Sequence, residues 1–150
     1  LHDIGKVAIP SQLLHKPDEL TAEELRIMRM HPALGEAMIA DVELLQGARP
    51  IIRHHQERYD GRMDGARPGY PDGLAGEQIP LGARIITVVD AFDAMTTDRP
   101  YRPGMSRQEA LQELRANAGT QFDPAVVRIF EQILKRLAVR PAEDGAGSTE

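Results

Sequence analysis

A chain of 150 residues with 41% apolar and 27% charged positions has the size and mix of one globular domain, or most of one. The absence of Cys excludes disulfides and thiolate metal ligands, and a net charge of −5 argues against broad nucleic-acid binding, which needs a basic face. No apolar run approaches the roughly 18–20 residues that cross a bilayer, so no membrane segment is expected, and the cytoplasm is the expected compartment. Aromatics are scarce and Trp is absent, so the core is expected to rest on Leu, Ile, Val, Ala and Met.

In chain order the signals are helical. If a helix runs through the first residues, Lys6 shares a face with Asp3. Thr21-Ala22-Glu23-Glu24 reads as a capping box that opens a helix carrying Leu25, Ile27 and Met28 and ending near His31. Pro32 suits the first turn of the next helix. Its apolar positions Leu34, Met38, Ile39, Val42 and Leu45 recur every three or four residues, and Gly47 is expected to stop it. Pro50 opens another helix, carrying Ile51, Ile52, His54 and His55. Residues 59–80 are rich in Gly and Pro and read as a long structured loop. Residues 81–97 read as a buried helix despite the β-branched run Ile85-Ile86-Thr87-Val88-Val89, because the segment is long and has no partner strands. Ser106 to Glu109 forms a second capping box ahead of Ala110, Leu111 and Leu114. Asp123-Pro124 opens a last helix with Val126, Val127, Ile129, Phe130, Ile133, Leu134 and Leu137. The polar, Gly-rich tail, 139–150, is predicted to be disordered. The expected fold is all-α, a single domain over 1–138.

Six side chains suited to metals are spread along this pattern: His2, Asp3, His31, His54, His55 and Asp90. Imidazole and carboxylate together bind transition metals that activate water. Taken singly, each has a blander reading. His2-Asp3 is a surface pair, His31 a helix-end His favoured by the dipole, and His54-His55 two exposed polar residues. Asp90 is harder to dismiss, since it lies in sequence among Val88, Val89, Ala91 and Phe92 and would be costly to bury unpaired.

The segments LHDIGKVAIP, His31-Pro32, RHHQERYDG, GYPDGLAGEQIP and VVDAFDAMTTDRPYR, in that order, resemble the HD-GYP family of metal-dependent cyclic dinucleotide phosphodiesterases over roughly residues 1 to 134. The resemblance implies an HD-superfamily helical bundle that here lacks its first helices, with a long loop bearing Gly69, Tyr70 and Pro71. It implies two or three divalent metal ions, iron or manganese, with Asp3 as bridge. His2 and Asp90 would serve one ion, and His31 with the His54-His55 region the second. It gives Lys6 a catalytic or substrate-binding part and assigns substrate phosphates to Arg99 and Arg102. The implied activity is hydrolysis of cyclic di-GMP to linear pGpG and onward to GMP, in bacterial second-messenger signalling. Cyclic GMP-AMP is the rival substrate. A further rival is a non-catalytic module that binds cyclic dinucleotide or docks a diguanylate cyclase through the GYP loop. An upstream sensory or receiver domain is implied as well.

Two departures from the family pattern stand out. The family reads His-His-Glu before Asp-Gly, whereas here Gln56 stands between His55 and Glu57. Either His55 takes the first His position and Gln56 the second, or an inserted residue leaves both His54 and His55 as ligands. The family also puts one residue between Asp-Gly and Gly-Tyr-Pro. Here residues 62–68 intervene, an apparent six-residue insertion near the rim of the site.

Overall fold

The N-terminal motif folds as a single 3-10 turn, Ile4–Ala8, in the computed structural model, which describes residues 1–98 and 103–139. Among these residues seven α-helices follow: α1 (Ser11–Leu14), α2 (Ala22–Met28), α3 (His31–Met38), α4 (Arg49–His54), α5 (Leu81–Thr96), α6 (Arg107–Ala116) and α7 (Pro124–Val139). Two further 3-10 turns, Glu43–Ala48 and Gly76–Gln78, interrupt the connections. Among the described residues no strand forms, only an isolated bridge between Ala118 and Phe122. The expected disordered tail lies outside the described residues from position 140 onward.

Local chemistry sets most of the helix starts. Thr21 Oγ1 accepts from the Glu24 amide at 3.3 Å while the Glu24 carboxylate accepts from the Thr21 amide at 2.8 Å. Ser106 and Glu109 repeat the reciprocal pair at 3.2 and 2.9 Å. Each box satisfies two of the amides that a helix start would otherwise leave without partners. Pro32 and Pro50 sit in the first turns of α3 and α4, where a missing N–H costs nothing. Asp123 caps α7 by accepting from Ala125 N at 2.8 Å. Its other oxygen takes Arg84 Nη1 at 2.7 Å, which ties α5 to the start of α7.

The helix expected to run from Pro32 past Leu45 breaks instead at Met38. Ile39 leaves helical geometry and Val42 is extended. The Gln46 amide holds the turn by donating to the Ala40 carbonyl at 2.7 Å. Gly47 is not a stop: it lies inside the Glu43–Ala48 turn, which runs directly into α4. The β-branched run 85–89 is helical, as its length predicted.

The main core joins α5, α6 and α7 through Val88, Leu114, Phe122, Val126 and Val127. Burying each large side chain contributes about 1.5–3 kcal/mol. Phe92 and Phe130 meet edge to face at 5.1 Å beside Phe122, so all three Phe of the chain are used here. Met contributes less than expected. Met95 packs partly against this core, whereas Met30, Met38 and Met63 are exposed. The second half of the molecule is the packing of the N-terminal turn on α3, and of α3 on α4. Gly5 crosses Gly35 there so closely that a Cβ on Gly5 would lie 1.9 Å from the His31 carbonyl oxygen. That crossing brings Asp3 up to His31.

Candidate metal centre

Asp3 immediately precedes the 3-10 turn. In 3-10 geometry positions i and i+3 eclipse, so Lys6 lies over Asp3 and its Nζ donates to Oδ2 at 2.7 Å. His31 begins α3 and His55 follows the end of α4. Each ring is fixed by a carbonyl three residues back: His31 Nδ1 on Met28 O at 2.9 Å, and His55 Nδ1 on Ile52 O at 2.7 Å. A carbonyl only accepts, so Nδ1 carries the proton and Nε2 offers a lone pair. The Thr87 hydroxyl of α5 sits 2.9 Å from the His55 carbonyl and so supports that turn from the opposite helix.

The two Nε2 atoms point into one space, 3.3 Å apart. Asp3 Oδ1 lies 3.4 Å from the first and 3.7 Å from the second. On the more open side, His2 Nε2 is 3.6 Å from Asp3 Oδ2 and 3.8 Å from Asp90 Oδ1. The two oxygens of Asp3 thus face two donor groups, one with His31 and His55, the other with His2 and Asp90. Among the described residues, Asp3 Oδ1 and His2 Nε2 are buried atoms that lack a hydrogen-bond partner. Lone pairs converging without protons between them repel one another, and a cation removes that repulsion. Donor separations of roughly 3–3.7 Å are those of ligands each about 2.0–2.2 Å from a shared ion. The donor set therefore fits a metal.

The electrostatics agree. Burial pushes the His31 and His55 imidazoles below their ordinary pKa, that of His55 to about 4. Both rings are therefore neutral at pH 7, as ligation requires. Burial opposes ionisation of Asp3, but the Lys6 ammonium beside it, helped by His2 and His31, holds the carboxyl below its usual value.

These shifts give a pH prediction for the metal-free protein. As pH falls from about 6.5 toward 4, the unfolded chain takes up protons on His31 and His55 that the fold excludes. The unfolded state then binds more protons, so stability drops as pH falls through this window. His55 alone contributes on the order of 3 kcal/mol to that loss. Chelator-treated intact protein should show a lower denaturant midpoint at pH 4.5 than at pH 7, with a smaller difference in His55→Gln. Equal pH sensitivity of the two proteins would remove His55 as the cause.

The structure brings together His2, Asp3, His31, His55 and Asp90, as much as 88 positions apart in sequence. It corrects one expectation, and of the two registers left open at His54-His55 it turns His55 inward. Asp90 is not buried among the apolar residues that flank it in sequence. Its side chain is half exposed beside His2, because it stands at the edge of a stripe of α5 that leaves Leu81, Ile85 and Val89 exposed, while Val88 turns inward, so the expected buried helix is buried on one side only. His54 does not reach the cluster. Successive helical residues point about 100° apart, so with His55 inward His54 turns aside. Its Nδ1 lies 3.5 Å from Glu57 and 3.6 Å from Asp72. Gln56 lines a neighbouring cavity beside Tyr70. Arg99 and Arg102, assigned to substrate phosphates, lie outside the described residues.

The GYP segment packs against this centre. The Tyr70 ring is 6.3 Å from that of His31 and burial pushes its hydroxyl up to about 12. Gly69 is required by space, since a Cβ there would meet the Arg58 amide nitrogen at 2.7 Å. Glu57 received no role from sequence, yet its fully buried carboxylate accepts from the amides of Asp72 and Gly73 at 2.8 and 3.1 Å. Arg53 grips Asp72 through two nitrogens, at 2.7 and 2.9 Å. Together they hold the loop just after Tyr70 and Pro71. The proximity of Glu57 to the two His residues was the available signal for it.

A family model for the HD domain matches residues 1–126. The chain belongs to the HD domain family, in its HD-GYP branch. It is 45% identical over 130 residues to the cyclic di-GMP phosphodiesterase response regulator RpfG of Xanthomonas campestris, covering 85% of this chain and 32% of that protein. It is 38% identical over 132 residues to the 3'3'-cGAMP-specific phosphodiesterase 2 of Vibrio cholerae, covering 87% and 24%. Among solved structures it resembles Bd1817, an HDG"Y"P protein of Bdellovibrio bacteriovorus, with a TM-score of 0.65 at 25% identity over 90% of this chain and 41% of the other. The chain thus spans between about a quarter and a third of the length of these curated relatives. HD-GYP architecture accounts for the helical fold described above. No described helix is long and apolar enough to cross a membrane.

Proposed function

We propose that the intact protein hydrolyses cyclic di-GMP to linear pGpG and on to GMP. The observation that carries this reading is the convergence of His2, Asp3, His31, His55 and Asp90, with Asp3 Oδ1 and His2 Nε2 left without partners. His31, His55 and Asp3 would hold one divalent ion, and His2, Asp90 and Asp3 a second, iron or manganese being apt for such a mixed donor set. Such ions polarise a phosphodiester and lower the pKa of water. Asp3 contributes a carboxylate kept ionised by Lys6. The Met28 and Ile52 carbonyls fix the ring orientation, so the lone pairs need no reorganisation before binding. The Lys6 ammonium, itself partly exposed, offers positive charge to an arriving phosphate. Arg99 and Arg102 are proposed to hold the phosphates through paired guanidinium N–H groups.

Kinship with a 3'3'-cGAMP-specific enzyme supports cyclic GMP-AMP as a second candidate substrate. The position of Gln56 beside His55 supports a weaker second reading, a non-catalytic module that binds cyclic dinucleotide or docks a diguanylate cyclase through Gly69-Tyr70-Pro71 under an upstream sensory or receiver domain. The deciding experiment incubates the intact, manganese- or iron-loaded protein with each cyclic dinucleotide and separates the products by chromatography. Linear dinucleotide and GMP are expected. Binding without turnover would sink the enzyme reading.

The register at His54 and His55 has its own test. His55→Ala in the intact protein is expected to lose most of its bound metal, and His54→Ala to keep most of it. Metal analysis of the two purified variants checks this, and greater loss from His54→Ala would reverse the assignment.

A further inference from the structure

A cavity of about 340 Å³ lies behind Tyr70, walled on its outer side by Ala66, Arg67 and Pro68 of the 62–68 segment. The segment closes on itself, Gly69 N donating to Arg62 O at 2.7 Å, and Arg58 Nη1 ties it down by donating to the Arg67 carbonyl at 3.3 Å. Two guanidinium groups line the space with no carboxylate partner among the described residues: Arg67 on the segment, and Arg29, whose Cζ stands 5.8 Å from the Tyr70 ring centre. The other charges there are already matched. Arg58 is paired with Asp60 at 2.7 Å, and Glu57 is committed to the Asp72 and Gly73 amides. Gln56 and Gln121 line the same space, and their side-chain amides make no hydrogen bond among the described residues. Tyr70, Met28 and Pro68 supply apolar surface.

This set has the chemistry of a nucleotide site. Free guanidinium groups grip phosphate through paired N–H donors. Amides offer a donor and an acceptor to the edge of a base, and an aromatic ring with aliphatic neighbours offers its plane a surface. The volume is at the low end of the roughly 300–1,000 Å³ seen for small-molecule sites, room for one nucleotide rather than two. We propose that this cavity binds a purine nucleoside monophosphate group, and that the inserted segment exists to complete it. The identity of the base as guanine rests on the cyclic di-GMP reading; the anion-and-base chemistry does not. The group has two possible sources, the distal half of the substrate or released GMP. Tyr70 lines the cavity and its ring stands 6.3 Å from that of His31, so occupancy would be felt at the metal centre.

The test titrates GMP, guanosine and inorganic phosphate into the intact protein by calorimetry, and repeats the GMP titration in an Asp3→Ala background so that phosphate captured by the metals is not counted. GMP should bind saturably and more tightly than either fragment in both backgrounds. Arg67→Ala should weaken it about ten- to hundred-fold without changing metal content. Arg67 is exposed on the loop and its side chain has no partner among the described residues, so this variant keeps its fold. Arg29→Ala should weaken GMP similarly. A raised KM for cyclic di-GMP in Arg67→Ala would mark the substrate's distal half as the occupant. An unchanged KM with relieved GMP inhibition would mark the product. Undetectable GMP binding in the Asp3→Ala background, or binding undiminished in both Arg variants, overturns the proposal. A protein that binds GMP here yet turns over no cyclic dinucleotide would overturn the proposed function instead and leave this site standing.

Discussion

Asp3→Ala in the intact, metal-loaded protein is expected to reduce phosphodiesterase turnover by about 10³-fold or more while leaving the protein folded. Among the described residues Asp3 is the one side chain that faces both donor groups, Oδ1 toward His31 and His55 and Oδ2 toward His2. A methyl group replaces neither oxygen. Loss of metal-assisted charge stabilisation is worth several kcal/mol at the transition state, and each 1.36 kcal/mol is tenfold in rate. Stability should change little, because the Asp3–Lys6 pair is about 40% exposed and such pairs contribute at most about 1 kcal/mol. Circular dichroism and thermal melting establish the fold, and steady-state kinetics with metal analysis establishes the loss. Near-wild-type turnover in a folded, metal-loaded Asp3→Ala would refute the role.

Gly5→Ala is expected to be the most destabilising small substitution in the chain, although it adds a single methyl group. That carbon would lie 1.9 Å from His31 O and 2.5 Å from Gly35 N, both backbone atoms that cannot rotate away. The N-terminal turn and α3 must then separate, at a cost of about 3 kcal/mol or more, against a typical total of roughly 5–15. The same separation withdraws Asp3 from His31, so metal content and turnover should fall with stability. Gly47→Ala is the control, since nothing lies within 4 Å of its added carbon. Denaturant unfolding of both variants decides the matter. A Gly5→Ala protein within about 0.5 kcal/mol of the parent would show that the crossing is looser than described.

What the sequence disclosed was local. The boxes at Thr21 and Ser106 are self-contained in four residues each and fold as read. The break after Met38 was hidden because Ile39, Val42 and Leu45 keep a helical spacing across it, while the agent of the break, the Gln46 amide, acts through a side chain that carries no periodicity. Asp90 was misjudged because neighbours along a helix are not neighbours in space: Leu81, Ile85 and Val89 leave one stripe of α5 exposed, and Asp90 stands at its edge. The choice between His54 and His55 is a matter of rotation about one helix axis, which the letters alone leave open. The close crossing of Gly5 and Gly35 joins residues 30 positions apart, and no local signal announces it. The shared cue at the site was subtler. Both inward imidazoles sit three residues after the carbonyl that orients them, at a helix start in one case and a helix end in the other.

The hydrogen bond that pinches the 62–68 segment shut, from Gly69 N to Arg62 O, uncouples that segment's length from the bundle beneath it. Its two ends meet whatever lies between them. The entropic charge for a longer excursion grows only as about (3/2)RT ln n, roughly 0.6 kcal/mol for each doubling. Residues can therefore be gained, lost or exchanged there without moving Glu57, Tyr70 or the imidazoles. The rim of the proposed cavity is therefore the place where chain length and side chains can change while Asp3, His31 and His55 keep their positions.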